Sequence, residues 1–307
     1  MDTKIMLPED QFGIEGSPLE FAYKVFDNLD INESSRTDYK YRIRMFMDFV
    51  KEKGFHPNIV LEYKRYLGER SDYGVSTKNK YLITAVKFLK ELNRVGKLPM
   101  DITQNIKLFS QDKKHKKDGV NQEEMQLLVE KLQQLDPTPQ NIRLKAIISL
   151  LSLQGLRQIE VVRMDVKDID LVGKTAMIQG KGRDDKERIS LHPETVKTLK
   201  EYLKTNKKAS GALFTSISNC SRDQRLTTRA IRKIVTGFLK QFGVDKSTHG
   251  FRHFFTTTLI KTYKGDLLEV TQYTRHKGLE MLQVYNDEIK KQADLPRYYD
   301  AFKGVNF

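Results

Sequence analysis

The chain has 307 residues, longer than one hydrophobic core ordinarily spans, so two domains are expected. Its 54 Lys and Arg against 40 Asp and Glu give a net charge of +14, a balance suited to a polyanionic partner such as nucleic acid. The single cysteine, Cys220, excludes an internal disulfide framework, and the longest apolar stretch, Ala146 to Leu153, is far short of the roughly 20 residues a membrane span needs. A reducing, cytoplasmic setting with no membrane contact is therefore expected. No Cys/His cluster has the spacing of a zinc site.

Residues 1–16 contain Pro8, Gly13 and Gly16 without sustained periodicity and read as an N-terminal arm. The start, Met1-Asp2-Thr3-Lys4, leads into acidic residues and argues against a secretory signal. Ser17-Pro18 opens a first helix, with serine as N-cap and proline in the first turn. Ser34 or Ser35 is the expected cap of a second helix, whose stripe of Tyr39, Ile43, Phe46, Met47 and Val50 ends at Gly54. A third follows Pro57. Ser76 or Thr77 is the expected cap of a fourth, with the stripe Tyr81, Ile83, Val86, Phe88 and Leu89. Residues 17–110 thus read as a small helical bundle, holding sixteen basic against eight acidic residues between 36 and 110. Lys40, Arg42 and Arg44 on one helix and Lys78, Lys80 and Lys87 on another lie beside the apolar stripes. They form either solvated faces or contacts with DNA phosphates.

Residues 111–120 contain almost nothing apolar and read as a basic linker, with Lys113, Lys114, Lys116 and Lys117 placed to track a phosphate backbone or simply to be solvated. Asn121 with Glu124 three residues on has the pattern of a capping box and opens a second domain, 121–307. A strongly apolar helix from 141 to 155 hands on through Gly155-Leu156-Arg157 to Glu160. The period then changes: two short strands flank Gly180-Lys181-Gly182 and make a β-hairpin. Amphipathic helices follow from Pro193 and from Thr227 or Thr228. The next begins at His249, where His249 and Arg252, three apart, face one side. His276 and Tyr285 come after Gly265, and the tail from Ile289 to Phe302 is weakly amphipathic and rich in tyrosine.

Taken in order, Gly155-Leu156-Arg157 with Glu160, the hairpin Gly180-Lys181-Gly182, His249 with Arg252-His253, and His276 nine residues before Tyr285 resemble the tyrosine recombinase (phage integrase) family. The resemblance spans about 17–290, and the length looks most like compact Xer-type members. It implies a mainly α fold with a small β-sheet (α+β): a helical core-binding domain, a linker, and a catalytic domain with a C-terminal tail. It also implies roles. Tyr285 is the nucleophile, Arg157 and Arg252 bind the phosphate, Lys181 is the hairpin lysine, His249 and His276 complete the set, Glu160 supports the first arginine, and His253 is structural. The chemistry is coherent. A phenol with an ordinary pKa near 10 needs its charge stabilised, and two arginines offset charge in a pentavalent transition state. Lys181 protonates the departing 5′-oxygen with help from His249. The implied product is a 3′-phosphotyrosine with a free 5′-hydroxyl, made without metal or other cofactor. The implied partners are double-stranded DNA, three further copies of the chain on two paired sites, and in some members a second recombinase or accessory protein. The residues leave open a type IB topoisomerase-like or telomere-resolving enzyme of the same chemistry, and a non-catalytic DNA-binding accessory protein.

The chain departs from the family pattern at Gln154, where a small residue or threonine is usual, at Phe251 for leucine, and at Thr274-Arg275-His276, where Leu-Gly-His is commonest. The last departure bears on the turn that presents His276.

Overall fold

The computed structural model describes residues 17–111, 119–180, 182–276 and 278–303. The chain divides into two compact units, Met1–Asp112 and Lys113–Phe307. Among the described residues the first holds four helices: α1 (Pro18–Asp27), α2 (Glu33–Lys53), α3 (Ile59–Glu69) and α4 (Val75–Arg94). Ser17 caps α1 through a full capping box with Glu20. The cap of α2 is Asn32 rather than Ser34 or Ser35. Its side-chain oxygen accepts from the Ser35 N–H at 2.9 Å, so both serines lie inside the first turn. Helix α4 likewise starts earlier than Ser76 or Thr77, with Gly74 at the cap. Its register buries Leu82 and Ala85 beside Tyr81, Phe88 and Leu89, and leaves Ile83 exposed, contrary to the expected stripe. Phe26, Phe46, Tyr63 and Phe88 centre this core.

The second unit opens on α5 (Gln122–Gln134), where Asn121 and Glu124 form the reciprocal capping box. Helix α6 (Pro139–Leu153) buries Ile147, Ile148, Leu150 and Leu151 on all sides, which is why its sequence has no polar face. A short α7 (Gln158–Arg163) leads to a three-stranded antiparallel sheet in the order β1-β2-β3: Ile169–Asp170, Thr175–Ile178 and Glu187–Ser190. The expected two-stranded hairpin is β2–β3, with Ala176 opposite Ile189 and Ile178 opposite Glu187. The added β1 is only two residues long, too short to show a period of two. Helices α8 (Pro193–Asn206), α9 (Thr228–Gln241) and α10 (Thr248–Thr262) complete a large core running from Val120 to Phe251.

Helices α11 (Leu267–Thr274) and α12 (Leu279–Asp300) pack against α10 around a separate small core of Ile260, Val270, Leu282 and Tyr285. Ile289 packs on its edge, while Tyr298, Tyr299 and Phe302 beyond it are exposed. Among the described residues no helix is long and apolar enough to cross a membrane, and no group of three His, Cys, Asp or Glu side chains is placed to hold a metal ion.

Candidate active site

The apolar helix α6 stops at Gln154, and Gly155 turns the chain with φ +59°. Only glycine fits here. The conformation is left-handed, and a Cβ would sit 2.3 Å from Phe255 Cδ1. The turn delivers Arg157 with extended backbone to the start of α7, one turn before Glu160. The Glu160 carboxylate, 1% exposed, accepts from the Arg157 backbone N–H at 2.8 Å and from its guanidinium at 2.9 Å. Arg157 is thus held at both ends, yet its side chain is 36% exposed and open to an incoming anion.

Arg252, on the second turn of α10, is buried. It donates to the Gly155 carbonyl at 2.7 Å and to the Thr274 carbonyl at 2.6 Å, and it approaches His276 Nε2 at 3.4 Å. One guanidinium therefore ties the turn after α6 to the end of α11. Burial lowers its pKa to about 10, with Arg157 pushing the same way and Glu160 opposing, so it is cationic at neutral pH.

Tyr285 lies on α12 and is buried in the small core, its ring edge-on to His253 at 4.9 Å between centroids and 6.4 Å from His276. Burial raises the phenol pKa, and the charges of Arg252 and Arg157 pull it down. His253 also covers the backbone of Gly119, where a Cβ would meet its ring at 2.2 Å. His249, exposed in the first turn of α10, acts with Arg252, Arg157 and Arg275 on the His276 imidazole. Burial above all, then these charges, hold His276 at about 3, so it is neutral at physiological pH. Its Nδ1 is buried without a hydrogen-bond partner among the described residues.

The structure therefore brings Arg157, Glu160, His249, Arg252, His253, His276 and Tyr285 together. Lys181 lies outside the described residues, but the turn on either side of it is anchored. Arg163 donates to the Gly180 carbonyl at 3.0 Å, Gln179 to the Arg183 carbonyl at 3.0 Å, and Arg183 pairs with Glu187 at 2.6 Å.

Sequence reasoning missed Arg275. It ends α11 in the left-handed conformation (φ 55°, ψ 39°), so the turn before His276 keeps the shape a glycine would give it. Its side chain, 8% exposed, reaches Glu160 at 3.1 Å and Glu187 at 3.6 Å. The one available signal was an arginine standing where the resemblance leads one to expect glycine.

The basic residues of the first unit behave differently from one another. Lys40 pairs with Asp27 at 2.6 Å, Arg42 with Asp38 at 3.0 Å, Arg44 bonds the Tyr23 hydroxyl at 2.5 Å, and Lys78 donates to the Gly68 carbonyl at 2.7 Å. Lys80 and Lys87 lie on an exposed face of α4 with Lys90. Lys113, Lys114, Lys116 and Lys117 lie outside the described residues.

Residues 119–292, more than half of the chain and all of the site, match the model of the phage integrase family. The chain belongs to that family. It is an enzyme of the tyrosine recombinase type, and relatives agree. Tyrosine recombinase XerC of Roseiflexus sp. (strain RS-1) is 26% identical over 280 residues, covering 86% of this chain and 87% of that protein. XerC of Halalkalibacterium halodurans is 26% identical over 292 residues, covering 88% and 92%. The fold is that of solved recombinases. XerH site-specific recombinase bound to palindromic difH substrate, a post-cleavage complex, superposes with a TM-score of 0.69 at 18% identity over 86% of this chain and 79% of that one. A lambda integrase tetramer bound to a Holliday junction gives 0.65 at 13% identity over 87% and 75%. Against the pattern that the resemblance led one to expect, this recombinase differs at Gln154, Phe251 and Thr274-Arg275, with arginine where glycine was expected.

Proposed function

We propose that this tyrosine recombinase cuts and rejoins double-stranded DNA at specific sites through Tyr285. The phenol oxygen attacks a phosphodiester, forming a P–O bond to tyrosine as the bond to the 5′-oxygen breaks. The products are a 3′-phosphotyrosine and a free 5′-hydroxyl. Attack by a second 5′-hydroxyl reverses the step with the bond energy conserved. The observation that carries this reading is the clustering of these groups about one buried phenol: Arg252 approaches His276 Nε2 at 3.4 Å, the His276 ring lies 6.4 Å from that of Tyr285, and Arg252 and Arg157 both oppose the rise in the phenol pKa that burial imposes. The same two charges suit the non-bridging oxygens of the phosphate and the charge that develops on them. Arg252 arrives pre-oriented by two carbonyls, and Arg157 by Glu160. His276, being neutral, hydrogen-bonds an oxygen without adding charge. Lys181 supplies the proton to the departing 5′-oxygen, and His249, exposed at the mouth, assists its transfer.

The partner is duplex DNA, met through the net charge of +14 and the exposed α4 face of Lys80, Lys87 and Lys90. Residues 17–110 serve as the core-binding domain and 111–120 as the linker. Four copies act on two paired sites, with the exposed end of α12 docking on a neighbouring copy, alone or with a second recombinase or accessory protein. The lambda integrase neighbour was solved as a tetramer on a Holliday junction, which supports this assembly.

The test is a duplex nicked near the scissile phosphate, so that the released strand diffuses away. Incubation should leave a protein–DNA adduct that survives denaturation, and Tyr285→Phe should abolish it. An undiminished adduct in that variant would overturn the assignment.

A further inference from the structure

Arg275 is in a costly position. A non-glycine residue in the left-handed region is strained, and its buried guanidinium gives up water as well. Glycine at this position would avoid both costs. The arrangement around Glu160 shows what arginine adds. Glu160 orients Arg157 by accepting from it twice, but a buried carboxylate at 2.9 Å also cancels the charge that Arg157 would present to a phosphate. Arg275 donates to Glu160 Oε2 at 3.1 Å, the oxygen that also accepts the Arg157 backbone N–H, while the Arg157 guanidinium holds Oε1; it returns one positive charge to the group. Its Nε lies 3.6 Å from Glu187 on β3, an ion pair beyond hydrogen-bond reach.

We propose that Arg275 is a positioning residue for cleavage. It shares Glu160 with Arg157, so that the carboxylate fixes the Arg157 fork without neutralising it. This rests on the reading of Arg157 as a phosphate-binding group, and the experiment separates the two claims.

The measurement is a double-mutant cycle in single-turnover cleavage at saturating DNA. The duplex carries sulfur at the bridging 5′ position. The released thiolate is a poor nucleophile toward the adduct, so product from slow variants accumulates over hours. Arg275→Gly, which fits the left-handed turn, is expected to slow cleavage on the order of 10-fold in the native background, because the arginine fork is misplaced. It should slow cleavage less than about 2-fold when Arg157 is already alanine, since its effect passes through Arg157. Arg275→Lys restores the charge without the fork and should recover part of the loss. If Arg275→Gly melts early, Arg275→Lys carries the same cycle. Equal losses in the two backgrounds, or no loss in the native one, would overturn the positioning role. An unchanged rate for Arg157→Ala alone would instead overturn the phosphate-binding reading, and the inference with it.

Discussion

Arg252 and Tyr285 act on each other electrostatically, yet they stand on foundations of different depth. Arg252 follows Phe251, a fully buried member of the large core, and its guanidinium is locked between the Gly155 and Thr274 carbonyls. Tyr285 belongs to the small core of α10, α11 and α12, together with Ile260, Val270 and Leu282. The proposed phosphate-binding wall is therefore built into the main fold, whereas the proposed nucleophile rides on elements with few buried apolar partners, the kind that open locally at low free energy. The proposed reaction needs both properties. Charge stabilisation works best when it is fixed in advance, and a nucleophile that becomes covalently attached must later be released.

The largest effect expected from this contrast comes from the fixed wall. Arg252→Ala removes the cation and strands two buried carbonyls. Single-turnover cleavage should fall on the order of 10²–10³-fold, with a stability loss of about 1–3 kcal/mol in denaturant titration. Loss of stability without loss of cleavage would remove Arg252 from the chemistry. On the small core, Leu282→Ala deletes a fully buried side chain, at a cost of about 2–5 kcal/mol. Hydrogen exchange should show that cost as lost protection in α11 and α12 with α6 unchanged. Equal loss in α6 would mean the two cores melt as one and would break the comparison.

The last effect lies where the regions meet and is absent at neutral pH. His276 titrates at about 3 against an ordinary 6.5, so between those values the unfolded chain binds a proton that the folded chain refuses. Stability should therefore fall as pH drops from about 6.5 toward 3, and His276→Gln should flatten that slope in Tm. An unchanged slope would place the imidazole in contact with water.

Much of this was legible in the sequence where partners are close in the chain. The capping box of Asn121 and Glu124 needs only three residues, and the order of Arg157, the hairpin, Arg252, His276 and Tyr285 is itself the family pattern. What escaped had two causes, ambiguity among neighbouring caps and tertiary context. Asn32, Ser34 and Ser35 are all competent cap residues within one turn, so the local pattern alone does not choose Asn32. Ile83 faces out because Leu82 and Ala85 already fill the core. Arg275 meets Glu160 across 115 positions of sequence, and no local pattern announces such a contact. The lysines of α2 and α4 looked alike as a sequence; ion pairs within the bundle separate Lys40 from Lys80.

The most direct test of the account is to map the covalent bond. After cleavage of the nicked duplex, protease digestion and mass spectrometry of the DNA-linked peptide should find the phosphate on Tyr285 alone, joined to a 3′ end, with a free 5′-hydroxyl on the released strand. A phosphate on Tyr273, Tyr298 or Tyr299, or a 5′-linked peptide, would contradict it.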